Sequence, residues 1–354
     1  MSLPFEINKK ICVMVLNYAA AHIYNHGTAL ENKGGSFMKH ILKIFPLHIR
    51  NELQTVFQTL DGIEEIRIRV SQPIMFLTDR GEFFFSMQNG YLTRDTNDAY
   101  AVTSHDISDM LVFISRYSLF AFEEEIRGGF ITIEGGHRVG LSGQAVFQEG
   151  WMQTIRNISY LNIRVNHEKK ECARRLIPHL YRQPSLRQSG IYNTLLISPP
   201  GRGKTTLLRD LIRLLSNGSK EHAGLKVSIV DERSEIAGCY RGVPQNDVGM
   251  RTDVLDGCPK SSGMMLLIRT MSPQVVAVDE LGSKEDVDAV AYAVHCGCSI
   301  LGSIHAADLD EVKKKPVLRD FLEQRFFERY LVIDKEEGGA RRYRLYNAKQ
   351  ELLC

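Results

Sequence analysis

The sequence has few of the features that mark secreted, membrane-spanning or nucleic-acid-binding chains. It has seven cysteines among 354 residues but no CxxC pair, and this odd, scattered set favours a reducing compartment over a disulfide framework. No run of 18 or more apolar residues occurs, so no segment is predicted to cross a membrane by itself. With one tryptophan and a net charge of +2, the sequence gives no sign of a basic groove with stacking aromatics. No nucleic-acid partner is therefore expected.

The composition is that of an ordinary globular protein of about two domains, with 44% hydrophobic and 24% charged residues. We interpret residues 1–37 as an N-terminal extension. Its apolar stretch, residues 11–24, contains Asn17 and His22, and a glycine-rich break follows at residues 32–36. Two interpretations stay open: an over-long start with Met38 as the natural first residue, or a short docking helix.

Residues 38–170 are predicted to form a smaller α+β N-terminal domain. Apolar residues at helical spacing predict helices over 38–60 and 104–119, the second capped by Ser104. Alternating apolar residues and turn residues predict strands over 63–70, 74–77, 83–85 and 159–165, with a glycine-rich hairpin over 126–146. The polar segments 166–175 and 181–190 are interpreted as connectors.

Residues 171–354 are predicted to form a C-terminal α/β domain. Strands alternate with helices, which is typical of a parallel sheet with crossover helices. The predicted strands are 193–198, 226–231, 274–279 and 299–305, and the predicted helices are 204–215 and 284–295.

The strongest signal for chemistry is the segment SPPGRGKTT, residues 198–206, between a predicted strand and a predicted helix. It matches the phosphate-binding pattern G-x-x-x-x-G-K-[ST] except that Ser198 replaces the first glycine. Small residues let backbone N–H groups surround a phosphate at the positive end of a helix. Lys204 is expected to bridge the β- and γ-phosphates of ATP, and the Thr205 hydroxyl is expected to bind Mg²⁺. The candidate ATP-binding residues are Ser198, Pro199, Pro200, Gly201, Arg202, Gly203, Lys204, Thr205 and Thr206.

A second signal is the apolar run VVAV followed by Asp279 and Glu280. The carboxyl ends of parallel strands meet at one edge of a sheet, so both carboxylates are expected beside the phosphate-binding loop. Asp279 is expected to hold Mg²⁺, partly through water, and Glu280 to polarise the attacking water.

Three further acidic residues, Asp231, Glu232 and Glu235, follow another predicted strand and are candidates for positioning metal or water. The alternative is an acid-rich helix N-terminus. His305 lies where a sensor of the γ-phosphate is expected. A zinc site at His295, Cys296 and Cys298 is disfavoured because a fourth ligand is missing.

Arginines are also frequent at the glycine-rich end of the first predicted domain: Arg127, Arg138, Arg156 and Arg164. Most surface arginines are only solvated or weakly paired. The alternative is that they contact the nucleotide of a neighbouring subunit, where an arginine offsets transition-state charge.

The ordered series SPPGRGKTT, VDERSEIAG, RTMSPQVVAVDELG and HCGCSILGSIHA, with EIRIRVSQP and IRGGFITIEGGHRVGLSGQAV in the first half, resembles the stage III sporulation protein AA family of endospore-forming bacteria. That family is similar to the type II and type IV secretion and pilus-retraction ATPases. The resemblance spans about residues 38–346. It implies a RecA-like C-terminal domain with an Asp box at residues 231–235, a Walker B element at Asp279 and Glu280, and a His box at residues 295–305.

The resemblance also implies partners and a place of action. A homohexamer is expected, in which Arg156 and Arg164 reach the nucleotide of a ring neighbour. The ring is expected in the cytoplasm on the mother-cell side, peripherally bound to a membrane platform protein and to other stage III sporulation proteins of the same operon. ATP hydrolysis there is expected to energise a channel between mother cell and forespore.

The sequence departs from the secretion ATPases at three places. Ser198 replaces a glycine, and the Walker B strand ends Asp-Glu where Gly-Glu is common. The paired CxxC zinc motif is absent, which favours the smaller pilus-retraction or type IV style of architecture. Two other functions stay open: a RecA-like nucleic-acid translocase, and a nucleotide-binding regulator that barely hydrolyses ATP.

Overall fold

The structure is a computed structural model that describes residues 35–60, 62–87, 90–115, 122–148, 150–182, 190–335 and 341–353. Most of the predicted extension 1–37, the end of the predicted helix 104–119 and most of the connector 181–190 lie outside these ranges.

The first half forms a seven-stranded antiparallel sheet with helices packed against it. Its helices are Gly35–Leu42 (α1), Leu47–Thr59 (α2), Ser104–Ile114 (α3) and Glu123–Arg127 (α4). Its strands are Ile63–Arg69 (β1), Met75–Thr78 (β2), Gly81–Ser86 (β3), Tyr91–Thr93 (β4), Phe130–Ile133 (β5), His137–Gln148 (β6) and Trp151–Arg164 (β7). The strand order is β4-β3-β2-β1-β7-β6-β5, and one apolar cluster fills the space under the sheet.

Three sequence predictions in this half are wrong in detail. The helix predicted over 38–60 is two helices, because Pro46 lacks an N–H and stands as the N-cap of α2. The cap of α3 is Thr103 rather than Ser104, since Thr103 and Asp106 form a reciprocal capping box. The last strand begins at Trp151 instead of residue 159, and it pairs with β6 along almost its whole length.

The second half forms another seven-stranded sheet. Its strands are Thr194–Ile197 (β8), Val227–Asp231 (β9), Thr252–Asp256 (β10), Val275–Val278 (β11), Ser299–Ile304 (β12), Arg329–Lys335 (β13) and Arg341–Asn347 (β14). Its helices are Ile177–Leu180 (α5), Lys204–Asn217 (α6), Lys260–Met271 (α7), Lys284–His295 (α8), Leu309–Lys314 (α9) and Pro316–Glu323 (α10). The strand order is β10-β9-β11-β12-β8-β13-β14, parallel throughout except for the antiparallel pair β13 and β14.

This sheet is buried on both faces, which explains the continuous apolar runs of its central strands. All residues of β8, β9 and β11 are buried, and a separate apolar cluster covers each face. Because β9, β11, β12 and β8 are consecutive neighbours in parallel orientation, their carboxyl ends meet along one edge. The two acidic segments, the loop before Lys204 and His305 all follow one of these four strands.

Candidate active site

The loop that follows β8 runs through residues 198–203 and ends where α6 begins at Lys204. Gly201 and Gly203 have φ angles of 72° and 85°, a conformation that favours glycine. Ser198 is fully buried, has no positive φ, and donates its hydroxyl to the Pro199 carbonyl oxygen at 3.0 Å. A small side chain is therefore accommodated where the phosphate-binding pattern has its first glycine.

A buried cluster of charged and hydroxyl groups lies directly behind this loop. Lys204 is 4% exposed, and its ammonium group donates to the Asp279 carboxylate and, at 2.7 Å, to the Ser303 hydroxyl. Thr205 donates to the second Asp279 oxygen at 2.6 Å, and Ser303 donates to the first. Burial alone raises the pKa of Asp279, but Lys204 and the two hydroxyls outweigh it and hold that pKa below its ordinary value. Asp279 is thus an ionised carboxylate inside the protein.

Glu280 follows in a left-handed backbone conformation, with φ of 55°. Its N–H donates to Asp279 Oδ1 and to Ser303 Oγ, both at 3.0 Å, and these bonds fix the turn. Its carboxylate lies 2.6 Å from His305 Nε2 and 3.0 Å from Arg233 Nη1. Such a conformation is costly for a residue other than glycine, and it is common at functional sites. Here it directs the Glu280 carboxylate toward the open side of the cluster.

His305 connects Glu280 to the phosphate-binding loop. It follows the end of β12, and its Nδ1 lies 3.4 Å from the Ser198 carbonyl oxygen while Nε2 contacts Glu280. His295, by contrast, is exposed at the C-terminal end of α8, and Cys298 donates its thiol to the Pro273 carbonyl. Only the second histidine of the predicted His box lies at this site, and no metal-binding group of His, Cys, Asp or Glu occurs among the described residues.

The acidic segment after β9 has a different arrangement from the other strand ends. The Asp231 carboxylate accepts three backbone N–H bonds, from Glu235, Ile236 and Ala237, at 2.8 to 3.0 Å. Burial raises the pKa of Asp231 in spite of these bonds. The chain forms turns after Asp231, so the alternative of an acidic helix N-terminus is wrong. Asp231 shapes the segment rather than facing the cavity with free oxygens.

Glu232 and Glu235 are each paired with a basic residue. Glu232 is held by Lys260 at the start of α7, and Glu235 lies 2.6 Å from Nη1 of Arg138 on β6. Arg138 also stacks on Phe130, with its guanidinium carbon 4.0 Å from the ring centroid. This pair joins the two sheets, together with a bond of 2.6 Å from Asn166 to Asn246. A small cavity lies between the acidic segments; its lining is Val230, Asp231, Glu232, Arg233, Glu235, Lys260, Asp279 and Glu280.

The structure therefore brings most of the predicted site residues together, but it leaves two apart. Arg156 and Arg164 are exposed on β7, and their side chains make no hydrogen bond or ion pair with the part of the chain that the structure describes. Within the loop, Pro200 and Gly201 are exposed, and Pro199, Arg202 and Thr206 are half-buried.

Four residues that the sequence reasoning passed over also belong to this region: Ser303, Lys260, Arg138 as a partner of Glu235, and Arg341. Ser303 precedes Ile304 on a strand between β8 and β11, so that position alone predicts a side chain next to Lys204 and Asp279. The Arg341 guanidinium packs against Gly203, where a Cβ atom would lie 2.2 Å from Nη2. Only the pairing of β14 with β13, far along the chain, places Arg341 there.

Two solved structures share this fold over most of their length. The ATPase DotB of Yersinia pseudotuberculosis has a TM-score of 0.53 with 12% identity, covering 92% of this chain and 82% of that one. The pilus retraction motor PilT with bound ADP has a TM-score of 0.52 with 14% identity, covering 83% and 82%. At such identities the likeness concerns the fold alone: a mixed α/β fold of the kind found in secretion and pilus ATPases.

The family is shown by sequence. The model of the family described as "Sporulation stage III, protein AA" matches residues 37–353. Stage III sporulation protein AA of Bacillus subtilis (strain 168) is 42% identical over 317 residues, which are 89% of this chain and 97% of that protein. The chain belongs to the stage III sporulation protein AA family, as the motifs indicated. Among the described residues, no helix is both long and apolar enough to span a membrane.

Proposed function

We propose that this chain binds ATP with Mg²⁺ on the loop of residues 198–206 and hydrolyses it as a RecA-like motor. The observation that carries the proposal is the buried contact of Lys204 and Thr205 with one carboxylate, that of Asp279. A loop with two left-handed glycines, a helix N-terminus and a buried lysine supplies donors for phosphate oxygens. The same small volume contains acceptors for a divalent cation.

The donor set fits Mg²⁺. A threonine hydroxyl and an ionised carboxylate, 2.6 Å apart, are the hard oxygen ligands that this ion prefers. Thr205 and Asp279 would hold Mg²⁺, which would offset negative charge on the phosphates. Lys204 would exchange its bond with Asp279 for bonds to the β- and γ-phosphates, and Ser303 would keep Asp279 partly bonded.

Glu280 is the proposed general base. Its carboxylate faces the cavity, while His305 and Arg233 bond it from two sides and fix its direction. A water between Glu280 and the γ-phosphate would lose a proton to Glu280 as its oxygen bonds to the γ-phosphorus, while the bond from that phosphorus to the β-phosphate oxygen breaks and ADP leaves. His305 contacts both Glu280 and the Ser198 carbonyl, so it can transmit a change at the loop to the base. Glu232 and Glu235 would order water on the far side of the cavity, and Asp231 would keep their segment in shape.

We further propose that the active form is a homohexameric ring, because Arg156 and Arg164 are exposed and lack partners within the described chain. In such a ring they would offset charge on the nucleotide of a neighbour. Family membership supports a role in endospore formation. The ring would act in the cytoplasm on the mother-cell side, bound to a membrane platform protein and to other stage III proteins, and energise a channel to the forespore.

The test compares Lys204→Ala and Glu280→Gln with wild type in ATP binding and in phosphate release. Lys204→Ala should abolish ATP binding. Glu280→Gln should bind ATP normally and release phosphate at least about 100-fold more slowly than wild type. Lys313→Ala and Glu323→Gln, two exposed surface positions on α9 and α10, are the matched controls. Phosphate release by wild type that is no faster than release by either Lys204→Ala or Glu280→Gln, with ATP binding by wild type intact, would refute the motor and favour a nucleotide-binding regulator.

A further inference from the structure

The outer part of the β6–β7 hairpin extends from the first sheet; Arg127 donates to the Gln153 carbonyl oxygen at 3.3 Å, and Ile155 and Ile158 pack against the apolar cluster of the first half. We call residues 142–148 and 150–160 the ribbon; none of them is buried. Gly143 faces the backbone of residues 156–158 at a bulge, and beyond it the strands pair only with each other. Near the turn, Phe147 is 64% exposed and Trp151 is 76% exposed. The turn end of the ribbon gains little stability from burial, so the large apolar side chains exposed there mark an interaction surface.

The composition of the ribbon favours a protein as its occupant. Residues 139–155 contain no lysine or arginine and one charged residue, Glu149. An anionic membrane or a nucleic acid is recognised through clusters of basic side chains, whereas the ribbon contains one basic residue, Arg156. The core of a protein interface is instead depleted in charge and enriched in Trp, Phe and Met, as residues 147–152 are.

A matching apolar surface lies on the second sheet of the same chain, along α7. Met264 and Leu267 of this helix are buried, while Met265, Leu266 and Met271 are 37%, 49% and 48% exposed. We call these three residues the α7 patch. Arg269 stands beside it with its guanidinium 5.9 Å from the Tyr292 ring, and an arginine of this kind also attracts a second aromatic face. The first residue of α7, Lys260, holds Glu232 at the candidate active site.

Two different surfaces that fit each other on one chain generate a head-to-tail contact between copies. We propose that the ribbon of one copy docks on the α7 patch of the next, with Trp151 against Met271 at the helix end and the strand beyond it passing Leu266. The proposal rests on the ring assembly proposed above and assigns its contact.

The lengths of the two elements agree with this contact. From Trp151 to Arg156 is five residues of strand with one residue in a bulge, about 14 Å. From Met271 back to Lys260 is eleven residues of helix, about 17 Å, and the long arginine side chain spans the difference. A ribbon lying along α7 with Trp151 at Met271 therefore carries Arg156 to the level of Lys260. There the arginine would meet the neighbouring copy's cavity between Glu232 and Glu280.

The first experiment uses Trp151 as a probe, since it is the only tryptophan in the chain. Sedimentation and tryptophan fluorescence are measured on the full chain over a range of concentrations, with and without ATP. Association should shift the Trp151 emission to shorter wavelength, because the indole side chain becomes buried away from water. Leu266→Ser with Met271→Ser should remove the shift and weaken association by about 30-fold or more. Tyr91→Ser, an exposed aromatic on β4 at an edge of the same sheet as the ribbon, should change neither.

The second experiment mixes two variants. Trp151→Ser keeps the α7 patch, and the α7 double variant keeps the ribbon, so each alone should stay monomeric where wild type associates. Their equimolar mixture should form dimers, because one intact contact remains. Unchanged association of the α7 variant, or a mixture that stays monomeric, overturns the proposal. An emission shift on acidic lipid vesicles that the α7 substitutions leave unchanged overturns it in favour of a membrane.

Folding and ATP binding are measured on the same variants as controls. The substituted side chains are exposed, so circular dichroism and thermal midpoints should match wild type. ATP binding by the dilute variants should also match wild type, since none of the substitutions touches the loop of residues 198–206. A wild-type chain that fails to bind ATP would refute the proposed function, whereas association without nucleotide would still report on the ribbon contact.

Discussion

The Ser303 hydroxyl is bonded on three sides and completes the buried cluster at the candidate active site. It accepts from Lys204 at 2.7 Å and from the Glu280 N–H at 3.0 Å, and it donates to Asp279. The substitution Ser303→Ala removes all three bonds while leaving almost the same volume. Because the residue is fully buried, water does not readily replace the lost hydroxyl.

The size of the expected loss in stability depends on which hydrogen bonds remain after the substitution. A hydrogen bond to a charged group contributes about 1.5–3 kcal/mol, and the bond to a backbone N–H about 1 kcal/mol. Asp279 Oδ1 still accepts from Lys204 and from the Glu280 N–H after the substitution, so the losses do not add in full. We expect Ser303→Ala to lower the free energy of unfolding by about 2 kcal/mol. Phosphate release should fall about tenfold, because the turn that directs Glu280 is held by one bond fewer.

Urea unfolding measures the first effect, with Ser228→Ala as the matched control. Ser228 is also a fully buried serine on a central strand, but its hydroxyl has no hydrogen-bond partner in the described chain. Removing it should leave stability within about 0.5 kcal/mol or raise it. Equal destabilisation by both substitutions would mean that the lost packing of the hydroxyl oxygen, and not its hydrogen bonds, determines the result.

The pH dependence of the free energy of unfolding is an independent test of the hydrogen bond from Ser303 to Asp279. The pKa of Asp279 is depressed in the folded protein, so its contribution to stability is present above the unfolded pKa and disappears as pH falls through the folded value. Ser303→Ala removes one of the bonds that lower this pKa. The difference in stability between wild type and variant should therefore be constant near neutral pH and shrink below about pH 4. A difference that stays constant down to pH 2 would contradict the assignment.

Two further substitutions test the loop and the acidic segment. Gly203→Ala places a Cβ atom 2.2 Å from Arg341 Nη2 at a φ of 85°, and should weaken ATP binding more than tenfold in equilibrium titration. Gly242→Ala, with φ of 75° and open space around it, is the control that changes only the backbone term, about 1–2 kcal/mol of stability. Asp256→Asn should raise stability at pH 7, because burial raises the pKa of Asp256 while Ser234 keeps a bond to the amide oxygen. That gain should vanish as pH falls below about 4, where both folded and unfolded wild type are protonated at this position; a gain independent of pH would contradict the reasoning.

The sequence predicts best where the structural signal is local. Helix α8 has the predicted bounds Lys284–His295, because Ser283 and Asp286 form a capping box within four residues. The buried strands β8, β9 and β11 were also predicted, since both of their faces are apolar. Strands β10 and β14 were not: β14 reads RRYRLYN, and it is a strand only because β13 pairs with it at the sheet edge.

In the candidate site, too, the residues that depend on local signals were predicted and those that depend on distant contacts were not. The loop, Asp279, Glu280 and His305 follow predicted strands, and parallel pairing brings those strand ends together without further information. The partners Lys260 and Arg138 come from an unpredicted helix and from the other sheet, and no spacing in the sequence relates them to Glu232 and Glu235. Ion pairs between distant segments depend on the final packing.

The pair of Arg138 and Glu235 limits which arginines can serve a neighbour. Arg138 was a candidate for that role, but its guanidinium bonds to Glu235 and stacks on the Phe130 ring within its own chain. Arg156 and Arg164 keep their donors free among the described residues, and they lie on the strand that continues into the ribbon. Arg156 is the nearer of the two to the exposed Trp151. A contact made by the ribbon would therefore also position Arg156 against the neighbouring copy. Assembly and completion of the site would then be one event rather than two.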